Sequence, residues 1–153
     1  MSFQDFYGNR ETITRIREML ARDRFPHAVI ISGPEGAGKY TLAQMIAKTL
    51  NCVEQPKSDG LPDFCGRCRN CTRIAEADDL EARFGEAVEA REAMREADKR
   101  EARILIQTHP EVIVVPPDPP QMLIKVGQVR LVIGSVFYKP VEARRKVVIF
   151  TES

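Results

Sequence analysis

The sequence predicts an α/β fold with a parallel sheet flanked by helices, and three observations support this prediction. A short apolar run at 28–32 precedes a glycine-rich loop, and a helical pattern follows directly at 39–50. Two further β-branched runs lie at 111–115 and 146–150, and a helical pattern at 126–138 separates them. Such alternation is typical of a parallel sheet, because parallel strands need long crossover connections that are usually helices.

The other elements follow from local patterns. Residues 10–22 are predicted to form an amphipathic helix, because apolar side chains recur on one face. Residues 76–103 are predicted to form one charge-dense helix, whose basic side chains pair with acidic side chains about a turn away. The proline-rich stretch at 116–120 cannot continue a β-ladder and ends the second strand. Because so few strands leave exposed sheet edges, we expect the chain to be the N-terminal part of a larger domain.

Composition limits the class of protein. The chain has 153 residues, 43% of them hydrophobic, which is enough for one ordinary core. Its net charge of +1 provides no general attraction to nucleic acid or to a membrane surface. No apolar run is long enough to span a bilayer, and residues 1–5 lack the basic and apolar regions of a signal peptide. We therefore expect a cytoplasmic protein without a membrane partner.

A glycine-rich loop with the spacing GxxxxGK joins the first predicted strand to its helix. Glycines let the backbone wrap with its N–H groups turned inward, and the helix N-terminus adds partial positive charge beneath a phosphate. The lysine would reach the β- and γ-phosphates as a point charge. The alternative is a glycine-rich turn that only enters a helix. We expect ATP or ADP to bind through Gly33, Pro34, Glu35, Gly36, Ala37, Gly38, Lys39, Tyr40 and Thr41.

One residue of this loop departs from the usual pattern. The position after the lysine, where Ser or Thr presents a hydroxyl to Mg²⁺, is Tyr40. Thr41 is one residue later, about 100° around the helix, and is out of position for that role. We therefore expect the loop to bind phosphate and to hold Mg²⁺ poorly.

All four cysteines fall in one segment, as Cys52, Cys65, Cys68 and Cys71, and the last three have the spacing CxxCxxC. In a reducing cytosol such a cluster indicates a metal site rather than disulfides. Four thiolates around a tetrahedral Zn²⁺ make a closed structural site, and no nearby histidine or carboxylate indicates a catalytic one. Gly66 and Asn70 are expected to help the tight turn between the cysteines.

Two alternatives to zinc stay open. An iron–sulfur cluster also takes four cysteines, although nothing else in the sequence indicates redox chemistry. The thiols could instead be free and buried. Because the segment 52–71 is rich in proline, glycine and polar residues, we expect it to have little core of its own and to fold around its metal.

Taken together, these features resemble the N-terminal domain of bacterial clamp-loader subunits of DNA polymerase III, most of all those of the delta-prime type. The resemblance covers nearly the whole chain except for 76–106, which looks like a charged helical insertion. A phosphate loop followed at once by a four-cysteine module is specific, whereas either motif alone is weaker. The matching segments are Phe25-Pro26-His27-Ala28, the loop from Gly33 to Lys39, the four cysteines, His109-Pro110-Glu111, Val129-Arg130, and the run from Lys146 to Phe150.

The resemblance implies that residues 1–153 are a P-loop domain of the AAA+ ATPase superfamily. It implies a hetero-oligomer that opens a sliding clamp and places it on primer-template DNA during replication, with a motor subunit and a delta subunit as partners. Delta-prime subunits resemble a stator, which supports the ATP site of its neighbour and often lacks its own catalytic residues. The arginine with which a stator would serve its neighbour is expected beyond residue 153.

The end of the last predicted strand bears on this role. Active relatives have Asp-Glu there, in which the aspartate organises Mg²⁺ and the glutamate polarises water. This chain has Thr151-Glu152, so Glu152 matches the catalytic base while the metal-organising carboxylate is absent. Both protein contributions to Mg²⁺ are thus altered, and we expect impaired hydrolysis. Two other classes stay open: a hydrolysing motor subunit of the gamma/tau type, and a zinc protein that binds nucleic acid through Arg67, Arg69 and Arg73.

Overall fold

The computed structural model describes residues 2–151, and the chain divides into two compact units, Met1–Ala75 and Glu76–Ser153. The first unit contains a 3₁₀ helix Phe3–Asp5, α1 (Arg10–Ala21), α2 (Lys39–Asn51), β1 (Lys57–Ser58), β2 (Leu61–Pro62) and α3 (Arg69–Ala75). The second contains α4 (Leu80–Glu92), α5 (Glu96–Glu101), β3 (Ile106–His109), β4 (Val112–Val115), α6 (Val126–Val136) and β5 (Val147–Phe150). Across residues 2–151, we find no helix with the length and apolarity to cross a bilayer.

The core of the first unit lies between α1, α2 and the four-cysteine segment. The apolar face of α1 contributes Ile13 and Ile16, and α2 is buried along most of its length after the first turn. Two of the cysteines belong to this same core, and so does an aromatic side chain from the cysteine segment. The buried cluster consists of Phe3, Ile13, Ile16, Leu42, Met45, Ile46, Cys52, Phe64 and Cys71.

A buried arginine joins α1 to the β1–β2 hairpin. Arg17 is 5% exposed, and its guanidinium donates to the carbonyl oxygens of Ser58, Leu61 and Pro62 and to the Ser58 hydroxyl. Its guanidinium carbon also lies 5.5 Å from the ring centroid of Phe3. Because a guanidinium offers five donors in a planar fork, one side chain can satisfy the carbonyls of a two-residue hairpin that is too short to hold itself.

The second unit is built on a sheet with the strand order β3-β4-β5. The central strand β4 is buried at every position, and it pairs antiparallel with β3 and parallel with β5. Helix α6 connects the two parallel strands and packs Val132 against Ile113 and Val115. Gln128, also in α6, is completely buried, and its amide nitrogen donates to the carbonyls of Ile104 and Pro116 at 2.8 Å each.

A buried ion pair ties α4 to the proline-rich stretch after β4. Asp118 has 1% of its side chain exposed, and it accepts hydrogen bonds from Arg91 at 2.5 Å and from Lys125 at 3.3 Å. Arg91 and Lys125 also donate to the carbonyl of Pro119. A buried carboxylate is tolerated only with such partners, because desolvation of an unpaired charge is costly. Arg91 therefore connects the charged segment to the stretch that follows β4 in the same unit.

The expected parallel sheet is confirmed in part: β4 and β5 pair in parallel, whereas β3 is antiparallel to β4. Residues 106–109 form β3, which sequence analysis missed, and β3 runs antiparallel to β4 across the tight turn at Pro110. His109 at this turn is fully buried, and its Nδ1 accepts a hydrogen bond from the backbone N–H of Glu111. A four-residue strand joined by a tight turn gives little periodic signal, so the hairpin had no clear sequence pattern.

The strand predicted at 28–32 is also wrong. Within residues 2–151, this segment forms no strand, and Val29 and Ile30 are 44% and 94% exposed. A β-branched run becomes a strand only when a neighbouring strand satisfies its backbone groups. Among the described residues of its own unit, the strands are the two-residue β1 and β2, which pair with each other. Local propensity is therefore overridden by the lack of a pairing edge in that unit.

The single helix predicted at 76–103 is two helices, with a break after Glu92 at residues 93–95. Asp79 caps α4 by accepting from the backbone N–H of Ala82. The expected pairing of basic with acidic side chains is present for Lys99, which contacts Glu92 and Glu96. Arg91 instead pairs outside the segment, as described above.

Replacing Arg17 with alanine tests its role in the first unit. The change leaves several carbonyl groups of the hairpin without their donor, so we expect Arg17→Ala to lower the free energy of unfolding by about 3 kcal/mol. Arg15→Ala is the matched control, since Arg15 lies on the same helix in an exposed ion pair with Glu11. It should change the free energy of unfolding by no more than about 0.5 kcal/mol. Equal effects of the two changes in urea unfolding would contradict this account.

Candidate phosphate loop and metal centre

The glycine-rich loop enters α2 through two residues with left-handed backbone conformations. Gly36 has φ +74° and Gly38, the residue before α2, has φ +77°. L-amino acids with side chains rarely adopt such values, which explains glycine at both positions. The loop residues are exposed or half-buried, and the predicted helix at 39–50 is confirmed as α2. The backbone thus has the bend and the helix N-terminus that a phosphate loop needs.

Lys39 folds back over the loop. Its ammonium donates to the carbonyl oxygens of Gly33 at 2.8 Å and Pro34 at 3.2 Å. The same carbonyl of Pro34 accepts from the backbone N–H of Ala37. The cation therefore lies on the loop itself, where it can turn to an anionic ligand without a change in the backbone.

Tyr40 is engaged with the helix rather than with the loop. Its hydroxyl oxygen accepts a hydrogen bond of 2.6 Å from the amide nitrogen of Gln44, one turn later. Gln44 is itself 1% exposed, so this hydrogen bond lies at the edge of the core. The neighbouring Thr41 is exposed. The residue set does not fit a loop-bound Mg²⁺, because the position that should supply a small hydroxyl carries a ring held by another partner.

The second position expected to organise Mg²⁺ follows β5 directly. The backbone N–H of Thr151 donates to the carbonyl of Val115 at 3.1 Å, which continues the parallel pairing of β5 with β4. Thr151 carries no charge for a metal. Glu152, the predicted catalytic base, lies outside the residues that the structure describes.

Phe6, which follows the 3₁₀ helix, lies against the loop. The ring of Phe6 is so close to Gly38 that a Cβ on this glycine would lie 2.8 Å from the ring Cζ. Gly36 has open space at the corresponding position. Gly38 is therefore required for two reasons, its backbone conformation and the approach of Phe6. No periodicity marks a contact between residues so distant in sequence, so only the structure reveals it.

The four cysteines converge as predicted. The sulfur atoms of Cys52, Cys65, Cys68 and Cys71 all lie within 4.8 Å of one another. Four thiolates at about 2.3 Å from a tetrahedral Zn²⁺ would be about 3.8 Å apart, so the cluster fits such an ion after small side-chain adjustments. Cys52 follows α2 directly, Cys71 lies in α3, and both are buried. These residues would hold the metal, whose contribution is to crosslink α2, α3 and the intervening segment.

Backbone N–H groups surround the sulfur atoms. The sulfur of Cys52 accepts from the N–H groups of Gln55 and Cys65, and that of Cys65 accepts from Cys68. Burial opposes ionisation of Cys68, but donors that include the backbone N–H groups of Cys71 and Val53 lower the pKa of its thiol to about 6. Burial raises the pKa of Cys65 and of Cys71. N–H donors to sulfur favour the thiolate form that a metal ion binds, whereas burial in the absence of a metal opposes it.

Two side chains of the cysteine segment are buried against the N-terminal residues of the same unit. Phe64 is 4% exposed and contacts Phe3 edge to face, with ring centroids 6.0 Å apart. Asp63 is buried and accepts from the N–H groups of Phe3 and Phe64 and from the hydroxyl of Ser58. The segment therefore packs against the 3₁₀ helix and α1 rather than on a core of its own, as its composition predicted.

Gly66 and Asn70 differ from each other in role. Gly66 has φ +70° and makes the turn between the cysteines, as expected. Asn70 lies in α3 and donates from its side chain to the carbonyl of Asn51 at the end of α2. The expectation that Asn70 shapes the turn was wrong. It instead supplies one of the partners that the last carbonyls of a helix require.

The fold and these two sites define a class of protein: an α/β protein with a glycine-rich GxxxxGK loop at the start of one helix and a four-cysteine cluster at its end. The family described as "DNA polymerase III, delta subunit" matches residues 8–153. The chain belongs to this family.

Curated relatives are DNA polymerase III subunits of the gamma and tau types. The gamma subunit of Buchnera aphidicola subsp. Acyrthosiphon pisum is 27% identical over 150 residues, which are 98% of this chain and 31% of that protein. The tau/gamma subunit of Haemophilus influenzae is 37% identical over 73 residues, covering 48% of this chain and 10% of that protein. The tau subunit of Bacillus subtilis is 30% identical over 79 residues, covering 52% and 14%.

The chain thus spans between 10% and 31% of the length of these relatives. The matches confirm the predicted relationship to clamp-loader subunits of the AAA+ class at its N-terminal region. They do not single out the delta-prime type, since the family description and the relatives point to different subunits.

Alanine substitutions at the two loop glycines separate backbone strain from crowding. In both Gly36→Ala and Gly38→Ala, the left-handed conformation of an alanine lowers the free energy of unfolding by about 1–2 kcal/mol. Gly38→Ala must also displace the Phe6 ring, so we expect its free energy of unfolding to fall by at least about 1 kcal/mol more than that of Gly36→Ala. Chemical denaturation measures the difference, and equal losses would show that Phe6 does not press on the loop.

The metal centre is tested by zinc binding. We expect one zinc ion per chain, with Cys68→Ser weakening zinc affinity by at least about tenfold, because one of the thiolate ligands is lost. Val53→Ala is the control, since this exposed side chain lies next to Cys52 but its backbone N–H remains. Chelation should raise hydrogen exchange more at 65–75 than at 57–63, because Arg17 and Asp63 hold the hairpin without metal. An iron-dependent visible absorption of the purified protein would favour the cluster instead.

Proposed function

We propose that this chain is the P-loop region of a clamp-loader stator, which keeps the architecture of an ATP site while its own hydrolysis is impaired. In this role it supports the ATP site of a neighbouring motor subunit while the assembly, with its delta subunit, loads a sliding clamp onto primed DNA. The observation that carries the proposal is the hydrogen bond between Gln44 and the Tyr40 hydroxyl at the position where Mg²⁺ needs a small hydroxyl. Thr151 adds a second uncharged residue at the end of β5.

The phosphate side of the site is kept. Gly36 and Gly38 have the backbone bend of a phosphate cradle, and Lys39 already lies over the loop. ATP or ADP would bind there through backbone N–H groups and the lysine. A site that positions the phosphates without organising Mg²⁺ favours nucleotide binding over hydrolysis. Charge neutralisation by the metal is a large part of phosphoryl-transfer catalysis.

The cysteine module takes a structural role in this proposal. Its sulfur atoms lie at the end of α2, and its other side chains are part of the same core as α1 and α2. A closed set of four thiolates leaves no open position for substrate. Zinc would therefore stabilise the unit that carries the phosphate loop.

A second candidate is a hydrolysing motor subunit of the gamma/tau type. The names of the relatives favour it, as does Thr41, whose exposed side chain is one residue from the metal position. In contrast, the nucleic-acid-binding zinc protein is less well supported. Arg67, one of its three candidate arginines, is paired with Glu54 through a bidentate contact, with the shortest distance 2.9 Å.

Nucleotide binding and turnover distinguish the stator from the motor. With the full-length chain, we expect ADP to bind and Lys39→Ala to weaken this binding by at least about tenfold, since a charge-assisted phosphate contact is lost. We expect turnover by the unaltered protein to be no higher than by Lys39→Ala. Substantial turnover that Lys39→Ala abolishes would establish the motor role and contradict the stator.

The variant Tyr40→Thr tests the reason for weak hydrolysis. It restores a small hydroxyl directly after the loop lysine, so we expect Mg²⁺-dependent turnover to rise by at least about tenfold. Tyr40→Phe is the matched control, because it breaks the hydrogen bond to Gln44 without offering a metal ligand. A similar rise in Tyr40→Phe would show that release of Gln44, rather than metal binding, had limited the reaction.

A further inference from the structure

We propose that the cysteine module and the phosphate loop are energetically coupled through the N-terminal segment from Phe3 to Phe6, so that zinc occupancy strengthens nucleotide binding. The inference rests on the proposed nucleotide site and adds a regulatory property to it. The segment is short and stiff, and it contacts the module with one aromatic ring and the loop with another. Its position therefore depends on both sites.

The contact with the module is made by Phe3. Its ring is 3% exposed and lies edge to face against Phe64, the residue before Cys65. Its backbone N–H donates to the carboxylate of Asp63 at 3.4 Å. The side chain of Gln4 reinforces this contact by donating to Asp59 at 3.0 Å. Of these contacts, the one with Phe64 depends on zinc, because Phe64 adjoins the ligand Cys65, whereas Arg17 and Asp63 hold residues 57–63 without metal.

The contact with the loop is made by Phe6. Its ring lies against Gly38, the residue directly before α2, whose φ is +77°. Between the two rings, the 3₁₀ helix Phe3–Asp5 is held by a capping box, in which Ser2 and Asp5 bond each other's backbone N–H groups. Because only two residues separate Phe3 from Phe6, a shift at one ring must be passed to the other.

Helix α2 joins the phosphate loop to the first of the four cysteines. The phosphate loop enters α2 at Lys39, and Cys52 follows its last residue, so the two sites are about 20 Å apart along one helix axis. Near its C-terminus, Lys48 lies 5.5 Å from the ring centroid of Phe64. Because the packed helix is nearly rigid, it keeps the two sites at a fixed distance. The Phe3–Phe6 segment, which lies partly at the surface, can move as one piece relative to this helix.

Zinc is expected to strengthen nucleotide binding because it would order residues that contact the loop. Zinc would hold Cys65 and the adjoining Phe64 in place, which fixes Phe3 and, through the 3₁₀ helix, the Phe6 ring on Gly38. A loop already held in its phosphate-binding conformation loses less conformational entropy when the ligand binds. Linkage requires the reciprocal effect, so nucleotide must strengthen zinc binding by the same factor.

The test compares the affinity of the full-length chain for ADP, by calorimetry, in zinc-loaded and chelator-treated protein. We expect zinc removal to weaken ADP binding by about fivefold or more, within the usual range of coupling between sites. Phe6→Ala should reduce this factor to less than about twofold, while Phe6→Leu, which keeps an apolar side chain on Gly38, should retain most of it. Tyr7→Ala is the matched control, because Tyr7 is the next residue and is 100% exposed.

A second readout does not need nucleotide. Zinc removal should raise hydrogen exchange at 33–41 in the unaltered protein and in Tyr7→Ala, and Phe6→Ala should show high exchange with or without zinc. An unchanged ADP affinity and unchanged exchange at 33–41 on zinc removal would overturn the coupling. Equal coupling in Phe6→Ala and the unaltered protein would overturn the role of Phe6.

The two readouts separate this inference from the proposed function. If the unaltered protein binds no ADP with or without zinc, the proposed nucleotide site is wrong, and the exchange measurement alone judges the coupling. If ADP binds equally well in both states and exchange is unchanged, the nucleotide site stands and the coupling fails. Zinc affinity measured with and without ADP checks the reciprocal factor.

Discussion

The burial of helix α2 is the constraint on which the first unit depends. Its first residue, Lys39, belongs to the phosphate loop, and the residue after its end, Cys52, is the first of the four cysteines. Between them, Leu42, Met45 and Ile46 belong to the core shared with α1 and the cysteine segment. Because a packed helix is nearly rigid along its axis, both sites are fixed to one element. Loss of its packing would disturb the loop and the cysteines together.

Side-chain hydrogen bonds to buried backbone groups stabilise each of these small units in addition to apolar burial. The β1–β2 hairpin has two residues per strand, and Arg17 supplies its carbonyls with donors from a helix. The carboxylate of Asp63 similarly accepts hydrogen bonds from the backbone N–H groups of Phe3 and Phe64. The second unit repeats the device with Gln128 and with the pair of Arg91 and Asp118. Each removes a buried unsatisfied group that would otherwise oppose folding.

The two departures from an active nucleotide site differ in what supports them. Tyr40 is held by Gln44, so its ring is built into the surface of α2 rather than merely tolerated. Thr151 continues the hydrogen bonding of β5 to β4, which any residue could do through its backbone. The first departure therefore has a structural reason in this chain and the second has none beyond its missing charge. Sequence comparison alone would have weighted them equally.

The sequence by itself determined the features that depend on local spacing: the glycine loop, helices α1, α2 and α6, strands β4 and β5, and the convergence of the four cysteines. Such features are readable because periodicity and ligand spacing are properties of neighbouring residues. Only the tertiary structure decided that 28–32 is not a strand, that β3 is antiparallel, and that Phe6 lies on Gly38. These depend on which partner a segment meets, and contacts between residues distant in the chain leave no local pattern.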